Sequence, residues 1–310
     1  MMNTLHQQKM DARHNEMPSP ERLMPTLAIQ SDVAPEPERD MPDTVHLGPA
    51  NRTVTALALT AVGGFVDAIG WITLLEVFTA NMSGNSIHVG MATGELDFST
   101  IRRFGCAIAT YVVALILTRI ALEIGARLGV RRVASLTFTL EALLLLTFRY
   151  IAPPLQDGHV ANLTSLNYLG LIALLAFAMG MQTATLTHLG SLTVYTTFVT
   201  GTLTKCAESA ARVVFWMYDT VKGGMPLSHT VRGLPQQADA VDGVFLLGVW
   251  ICYVVGAATG TFTKHRWELR ALYFPVAVLI CLVVLDFARP IAAREERRQA
   301  EGKAQVNAPA

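Results

Sequence analysis

Apolar residues gather in long runs separated by short polar stretches, and their length predicts helices rather than strands. Six runs, at about 54–75, 105–125, 133–151, 166–186, 243–263 and 271–289, each approach the roughly 20 residues that cross a ~30 Å hydrocarbon core at about 1.5 Å per residue. Two stretches break the pattern. Residues 76–94 carry Glu76, Thr79, Asn81, Ser83, Gly84, Asn85, Ser86 and His88, and residues 187–206 carry Thr187, His188, Ser191, Thr193, Thr196, Thr197, Thr200, Thr202, Thr204 and Lys205. Polar groups left unsatisfied against lipid are costly, so these stretches must re-enter, cross inside a bundle or lie at its surface. The expected fold class is all-α: a polytopic α-helical membrane protein of about six transmembrane helices plus two polar broken or re-entrant segments.

The two polar stretches echo one another. Phe78-Thr79-Ala80-Asn81-Met82-Ser83-Gly84-Asn85 returns 117 residues later as Tyr195-Thr196-Thr197-Phe198-Val199-Thr200-Gly201-Thr202. At the same offset Ala61 matches Ala178, Gly63 matches Gly180, Leu75 matches Leu192 and Val77 matches Val194. Beyond the motif the offset grows: Tyr111-Val112-Val113-Ala114 matches Tyr253-Val254-Val255-Gly256 at 142, and 143–148 matches 282–287 at 139. An insertion of about 25 residues within 207–242, the longest connection, accounts for the change. The chain then divides into a disordered cytoplasmic tail over 1–50, a transmembrane domain over 51–290 and a charged cytoplasmic tail over 291–310. Within the middle part, repeat units span about 54–151 and 166–289, and 207–242 forms a cytoplasmic loop. If each polar stretch re-enters, each unit has three crossings and the halves are inverted, with six spans; if each crosses, the halves are parallel, with eight. The polarity of the stretches favours inversion.

The run Gly64-Phe65-Val66-Asp67-Ala68-Ile69-Gly70 followed by Phe78-Thr79-Ala80-Asn81-Met82-Ser83-Gly84-Asn85 resembles the YoaK family of bacterial integral membrane proteins of undetermined function. Thr196-Thr197-Phe198-Val199-Thr200-Gly201-Thr202-Leu203-Thr204 is similar to a later motif of the same family. The resemblance covers about residues 55–290, and the N-terminal tail and the 207–242 connection lie outside the family's core. It implies a multi-pass protein of the bacterial inner membrane and brings no substrate or catalytic residue with it.

Composition agrees with a lipid solvent. Hydrophobic residues make up 52% of the chain and charged residues 15%, against about 25% charged in soluble domains. Formal net charge is zero, so the chain has no basic footprint for nucleic acid. Cys106, Cys206, Cys252 and Cys281 form no CxxC pair and read as small buried hydrophobes, without a metal site or a disulfide framework. Residues 1–50 contain no early apolar core of the kind a cleaved signal peptide needs, and Met1, Met2, Met10, Met17 and Met24 all precede the first span, which leaves the start open. Both termini and the 207–242 connection are expected on the cytoplasmic side, as the distribution of Lys and Arg favours.

Candidate chemistry centres on the echoed motif. Ser83-Gly84 and Thr200-Gly201 combine backbone freedom with hydroxyls, and Thr79, Asn81, Asn85, Gln182, Thr196, Thr197 and Thr202 add groups able to read a polar solute. Ser83-Gly84 and Thr200-Gly201 suit close helix packing equally well, and Asn81, Asn85 and Gln182 could equally cap the broken backbone. Asp67, in the middle of the first span, and Glu141, near the centre of the third, are costly there unless paired or hydrated. They are candidates for coupling to an ion or a proton, and an internal hydrogen bond to the neighbouring polar stretch is the alternative for Asp67. His88 and His188 could carry protons or simply be hydrogen-bonded. No GxxxxGK[ST], HExxH, GxSxG or GxGxxG motif occurs, so no enzyme and no cofactor are expected. Repeated polar breaks beside membrane-length runs suit a small-solute or ion carrier, and the modest size suits a homodimer in the lipid bilayer. The alternative is a non-transporting scaffold or sensor with a cytoplasmic partner.

Overall fold

A computed structural model describes residues 49–128, 133–153, 165–185 and 199–288. All regular structure among them is helical: α1 (Pro49–Thr73), α2 (Met82–Glu95), α3 (Phe98–Arg127), α4 (Val133–Ile151), α5 (Leu166–Thr185), α6 (Val199–Lys222), α7 (Leu227–Gly233), α8 (Ala238–Trp267) and α9 (Tyr273–Ala288). Short 3₁₀ turns at Leu234–Gln236 and Glu268–Leu272 lead into and out of α8. Among the described residues, four stretches are long and apolar enough to cross a membrane: Thr53–Thr73, Phe98–Gly125, Leu166–Thr185 and Ala238–Phe287, the last holding both α8 and α9. The chain is an all-α polytopic membrane protein. α3 turns Val112, Val113, Ile116, Leu117 and Ile120 outward, a surface that water would not tolerate and acyl chains would cover.

Cross-contacts fix the helix directions. Tyr168, at the start of α5, donates to the Leu74 carbonyl just beyond α1 (2.7 Å), and Gln182, near the end of α5, donates to the Leu59 carbonyl (2.6 Å), so α5 runs antiparallel to α1. α8 runs parallel to α1: Gly248 meets Leu57, Gly256 meets Ala61 and Gly260 meets Phe65. α3 follows the direction of α5, with Cys106 bonded to the Leu169 carbonyl (3.6 Å) and Tyr111 seated against Gly180 farther along. α4 and α9 are antiparallel, joined at one end by Ser135 and Asp286 and at the other by the Tyr150 and Tyr273 hydroxyls (3.0 Å). The most extensive packing joins α1 to α8 and α5 to α3. Glycines allow it: a Cβ on Gly64 or Gly256 would overlap a backbone carbonyl of the facing helix, and one on Gly180 would lie 2.6 Å from the Tyr111 oxygen.

The first polar stretch, and the described end of the second over 199–206, are more helical than their composition suggests. Of 76–94, only the start is irregular, and α2 begins at Met82, its first turn capped by Asn81, whose Oδ1 accepts from the Gly84 N–H (3.3 Å). The expected loop over 207–242 is also corrected. α6 continues through it to Lys222, α7 follows, and α8 starts at Ala238. Apolar residues recur there at three- and four-residue spacing among the charges, a helical pattern of too little hydropathy for a span; Gly223-Gly224 and Pro226 interrupt it only briefly. α6 lies antiparallel along α8, held by Arg212 Nε donating to Asp239 Oδ1 (2.6 Å) and Cys206 Sγ donating to the Gly243 carbonyl (3.6 Å). The expected tails, apart from 49–50, lie outside the described residues.

Asp97 closes the turn between α2 and α3. Its Oδ1 accepts from the Ser99 N–H (3.0 Å) and the Thr100 N–H (3.2 Å), occupying donors that the first turn of α3 would otherwise leave open. Hydrogen bonding from Thr100, side chain first and then backbone, holds this carboxyl below its ordinary value. A carboxylate so lowered adds stability above its unfolded pKa and loses it as pH falls through the folded one. Asp97→Ala is therefore expected to melt below wild type in detergent at neutral pH, with the gap closing in acid. A gap that persists unchanged in acid would contradict the charged cap.

Candidate functional site

The site begins where α1 ends. Leu75 (φ 50°) and Glu76 (φ 69°) adopt left-handed backbone, which turns the chain back on itself. The returning strand of chain is held by Asp67, which lies six residues before the end of α1, about 9 Å along a helix that rises about 1.5 Å per residue. Asp67 Oδ1 accepts from the Thr79 N–H (2.6 Å), the Ala80 N–H (2.8 Å) and the Thr79 hydroxyl (3.3 Å). Asp67 Oδ2 accepts from the Tyr253 hydroxyl on α8 (2.7 Å). The first polar break thus dips back into the bundle and is latched there. Its cap helix α2 then climbs past the end of α1, with His88 stacked on Phe104 (centroids 4.4 Å apart) near Trp71.

Asp67 is only 2% exposed. A carboxylate so deep is tolerable because four donors, two of them backbone N–H groups that no helix uses, surround it. The internal hydrogen bond that was one of its two expected roles is what forms. Asn85 makes the next tie, accepting from the Phe78 N–H (3.0 Å) and donating to the Phe78 carbonyl (2.7 Å). Ser83 donates to Asn81 (2.7 Å), and a Cβ on Gly84 would press on the Phe78 ring at 2.8 Å. Thr79, Asn81, Ser83, Gly84 and Asn85 therefore belong with Asp67 in one cluster. Ser83 is its exposed member.

The other candidates lie apart from this cluster. Gln182 is fully buried on α5; its Nε2 reaches Leu59, eight residues below Asp67 on α1, while its Oε1 has no partner among the described residues. Glu141 is 1% exposed on α4, and neither of its oxygens has a hydrogen-bond partner among the described residues. Thr200, Gly201 and Thr202 form the first turn of α6, with Thr200 exposed and Thr202 buried. α2 packs on α3 and α6 on α8, so the helices that open at the two echoed motifs have different neighbours. Thr196, Thr197 and His188 lie outside the described residues. Among the described residues, no three His, Cys, Asp or Glu side chains gather to hold a metal ion.

Sequence reasoning missed Tyr253. It is visible only as half of the Tyr111/Tyr253 repeat match, where it serves as a marker of alignment. Its counterpart Tyr111 also ends on a polar group of a facing helix, donating to Thr183 Oγ1 (3.0 Å). Two tyrosines at matching positions within apolar runs, each carrying a hydroxyl that must be satisfied in lipid, were the available signal.

Comparison with known proteins places the chain. Residues 55–285 match the family described as Protein of unknown function (DUF1275), which spans most of the sequence. The chain is also 28% identical over 168 residues to the UPF0700 transmembrane protein YoaK of Bacillus subtilis (strain 168), an alignment covering 54% of this chain and 69% of that protein. No solved structure matches. The chain belongs to the DUF1275 family, that of the YoaK-like membrane proteins.

Proposed function

We propose that this member of the YoaK-like family is a small-solute or ion carrier of the inner membrane, with its site between the two echoed polar segments. The observation that carries this is the re-entrant break at Leu75–Asn81, held inside the bundle by Asp67. Irregular backbone at membrane depth is tolerated where it is buried in protein or lines a water-filled path, and carriers build sites at such discontinuities.

Helix direction supports an inverted internal repeat of six crossings. α1, α3 and α4 in the first unit correspond to α5, α8 and α9 in the second, and each counterpart runs the opposite way. α2 and α6 begin at positions separated by the motif's own offset, Met82 and Val199. Tyr111 and Tyr253 each lay a backbone carbonyl over a glycine of the other unit's first helix, Gly180 and Gly64. With an even number of crossings both termini fall on one side, which the distribution of basic residues makes the cytoplasm.

The rigid bodies of such a carrier would not be the two sequence repeats. α1 packs on α8 and α5 on α3, so each body is assembled from both units. The polar segments are the crossovers, because the first leads from α1 to the α3-bound α2 and the second from α5 to the α8-bound α6. Rocking between the bodies would then flex or expose these two segments first. Pairing of two such six-helix chains as a homodimer would provide a fixed frame for the motion.

Single cysteines at Ser83 and Thr200, introduced after replacing the four native cysteines, test the path. Both are expected to react with a small charged thiol reagent, each faster from one side of the membrane, with protection by a transported solute. A second reading, a non-transporting scaffold or sensor, draws on the exposed apolar face of α6 with Val214, Phe215 and Tyr218, which a cytoplasmic partner could cover. Inaccessibility of both cysteines from both sides would remove the carrier and leave the scaffold.

A further inference from the structure

The buried acid that the latch does not use is Glu141. It belongs to a stripe on α4, Thr137, Glu141, Leu145 and Phe148, that is buried along its length. Thr137, one turn before Glu141, accepts from Thr185 on α5 (3.1 Å), and Thr185 stands three residues after Gln182. The antiparallel pair α4–α5 therefore carries Glu141 and Gln182 at about the same level of the bundle. Three buried acceptor oxygens lie at about that level, two on Glu141 and Oε1 of Gln182, each without a hydrogen-bond donor among the described residues.

Ionisable groups on the neighbouring elements do not answer this deficit. α5 brings Tyr168, at its far end, whose hydroxyl goes to Leu74. α9 brings Tyr273, bonded to Tyr150, Asp286, bonded to Ser135, and Cys281, which is exposed. α3 brings Arg119 and Glu123, which have interactions of their own, Tyr111, bonded to Thr183, and Arg102 and Arg103 near its opposite end. The turn before α9 brings Glu268 and Arg270. An ionised carboxylate at Glu141 would be a bare buried charge without a donor among the described residues, whereas the carboxylic acid carries no charge and brings an O–H donor of its own.

We propose that the coupling ion of this carrier is a proton, held on Glu141 while the α4–α5 contact is closed and released to water when that contact opens. This rests on the carrier function proposed above. It assigns the two membrane-depth acids different work: Asp67 fixes the break, and Glu141 exchanges one proton per cycle, passing between the neutral acid and the carboxylate with no other group changed.

Infrared difference spectroscopy of the purified protein in lipid nanodiscs, between acid and alkaline buffer, reads the carboxylic C=O stretch without needing a solute. A titrating band is expected in wild type, lost in Glu141→Gln and retained in Asp67→Asn. Glu141→Met, an apolar replacement of similar length, is expected to fold and lose the same band, so that misfolding of one variant does not decide the matter. A band present at both pH values and unchanged between them, or a titrating band that survives Glu141→Gln and Glu141→Met, overturns the assignment. The carrier fails separately. If the Ser83 and Thr200 cysteines are inaccessible while the band titrates, transport is lost and proton exchange at Glu141 stands. If they are accessible and the band does not titrate, the carrier stands without this proton.

Discussion

Gly256→Ala and Gly64→Ala are each expected to pry α1 away from α8 and to melt well below wild type, the largest effect of any single methyl added to this protein. At both positions the new Cβ would overlap a backbone carbonyl, of Ala61 and of Tyr253 respectively. A side chain in the way can change rotamer, but a carbonyl within a helix moves only with the helix. Overpacking typically costs about 1–3 kcal/mol, and a backbone obstruction belongs at the upper end. The two substitutions act on one crossing, so the double variant is expected to cost less than the sum, since a pair already separated has room for the second methyl. Gly90→Ala and Gly94→Ala in α2 are the controls, because a Cβ there meets nothing within 4 Å. Replacing an unobstructed helical glycine with alanine gains up to about 1 kcal/mol. Thermal unfolding followed by size-exclusion chromatography in detergent measures all five. Gly256→Ala melting with Gly90→Ala would mean that α1 and α8 are not in backbone contact.

Much of this architecture was readable from residue pattern, and the failures have physical causes. The long apolar runs marked the spans because lipid leaves a helix no alternative to internal hydrogen bonding. α2 and α6 both begin inside the echoed motif, which the sequence marks as a break without saying that a helix starts there. Residues 207–222 were misread because low hydropathy and two glycines just beyond them resemble a loop, while the helical spacing of Val214, Tyr218 and Val221 is the truer signal. Helix partners were not legible at all. Nothing local to Gly64 says that Tyr253, rather than a residue of its own repeat, will cover it. For the same reason a buried aspartate and a buried glutamate looked alike in sequence. Whether a membrane-depth acid is latched, like Asp67, or bare, like Glu141, depends on which donors arrive from other helices.

The difference between those two acids makes the Asp67 series decisive. Asp67→Ala is expected to leave the Thr79 N–H, the Ala80 N–H and the Tyr253 hydroxyl without an acceptor. Each buried donor stranded costs about 1–3 kcal/mol, so a loss on the order of 3 kcal/mol or more is expected, reduced by whatever the break recovers by swinging out to water. That movement is itself measurable, as faster labelling of a cysteine at Ser83. Asp67→Asn keeps one oxygen for the two backbone donors, and its amide can turn an N–H toward the Tyr253 oxygen, so most of the latch survives. Tyr253→Phe removes one donor from the carboxylate, where hydrogen bonds to a charged group are worth about 1.5–3 kcal/mol. A structural latch therefore predicts that alanine is severe, phenylalanine intermediate and asparagine mild, in both melting temperature and Ser83 labelling. An ion site at Asp67 predicts another order, because binding or releasing a cation needs the charge: asparagine would then abolish solute-coupled activity as completely as alanine while leaving the melting temperature near wild type. The amide substitution separates the two roles, since it preserves the shape and the acceptor of Asp67 and removes only its ability to ionise.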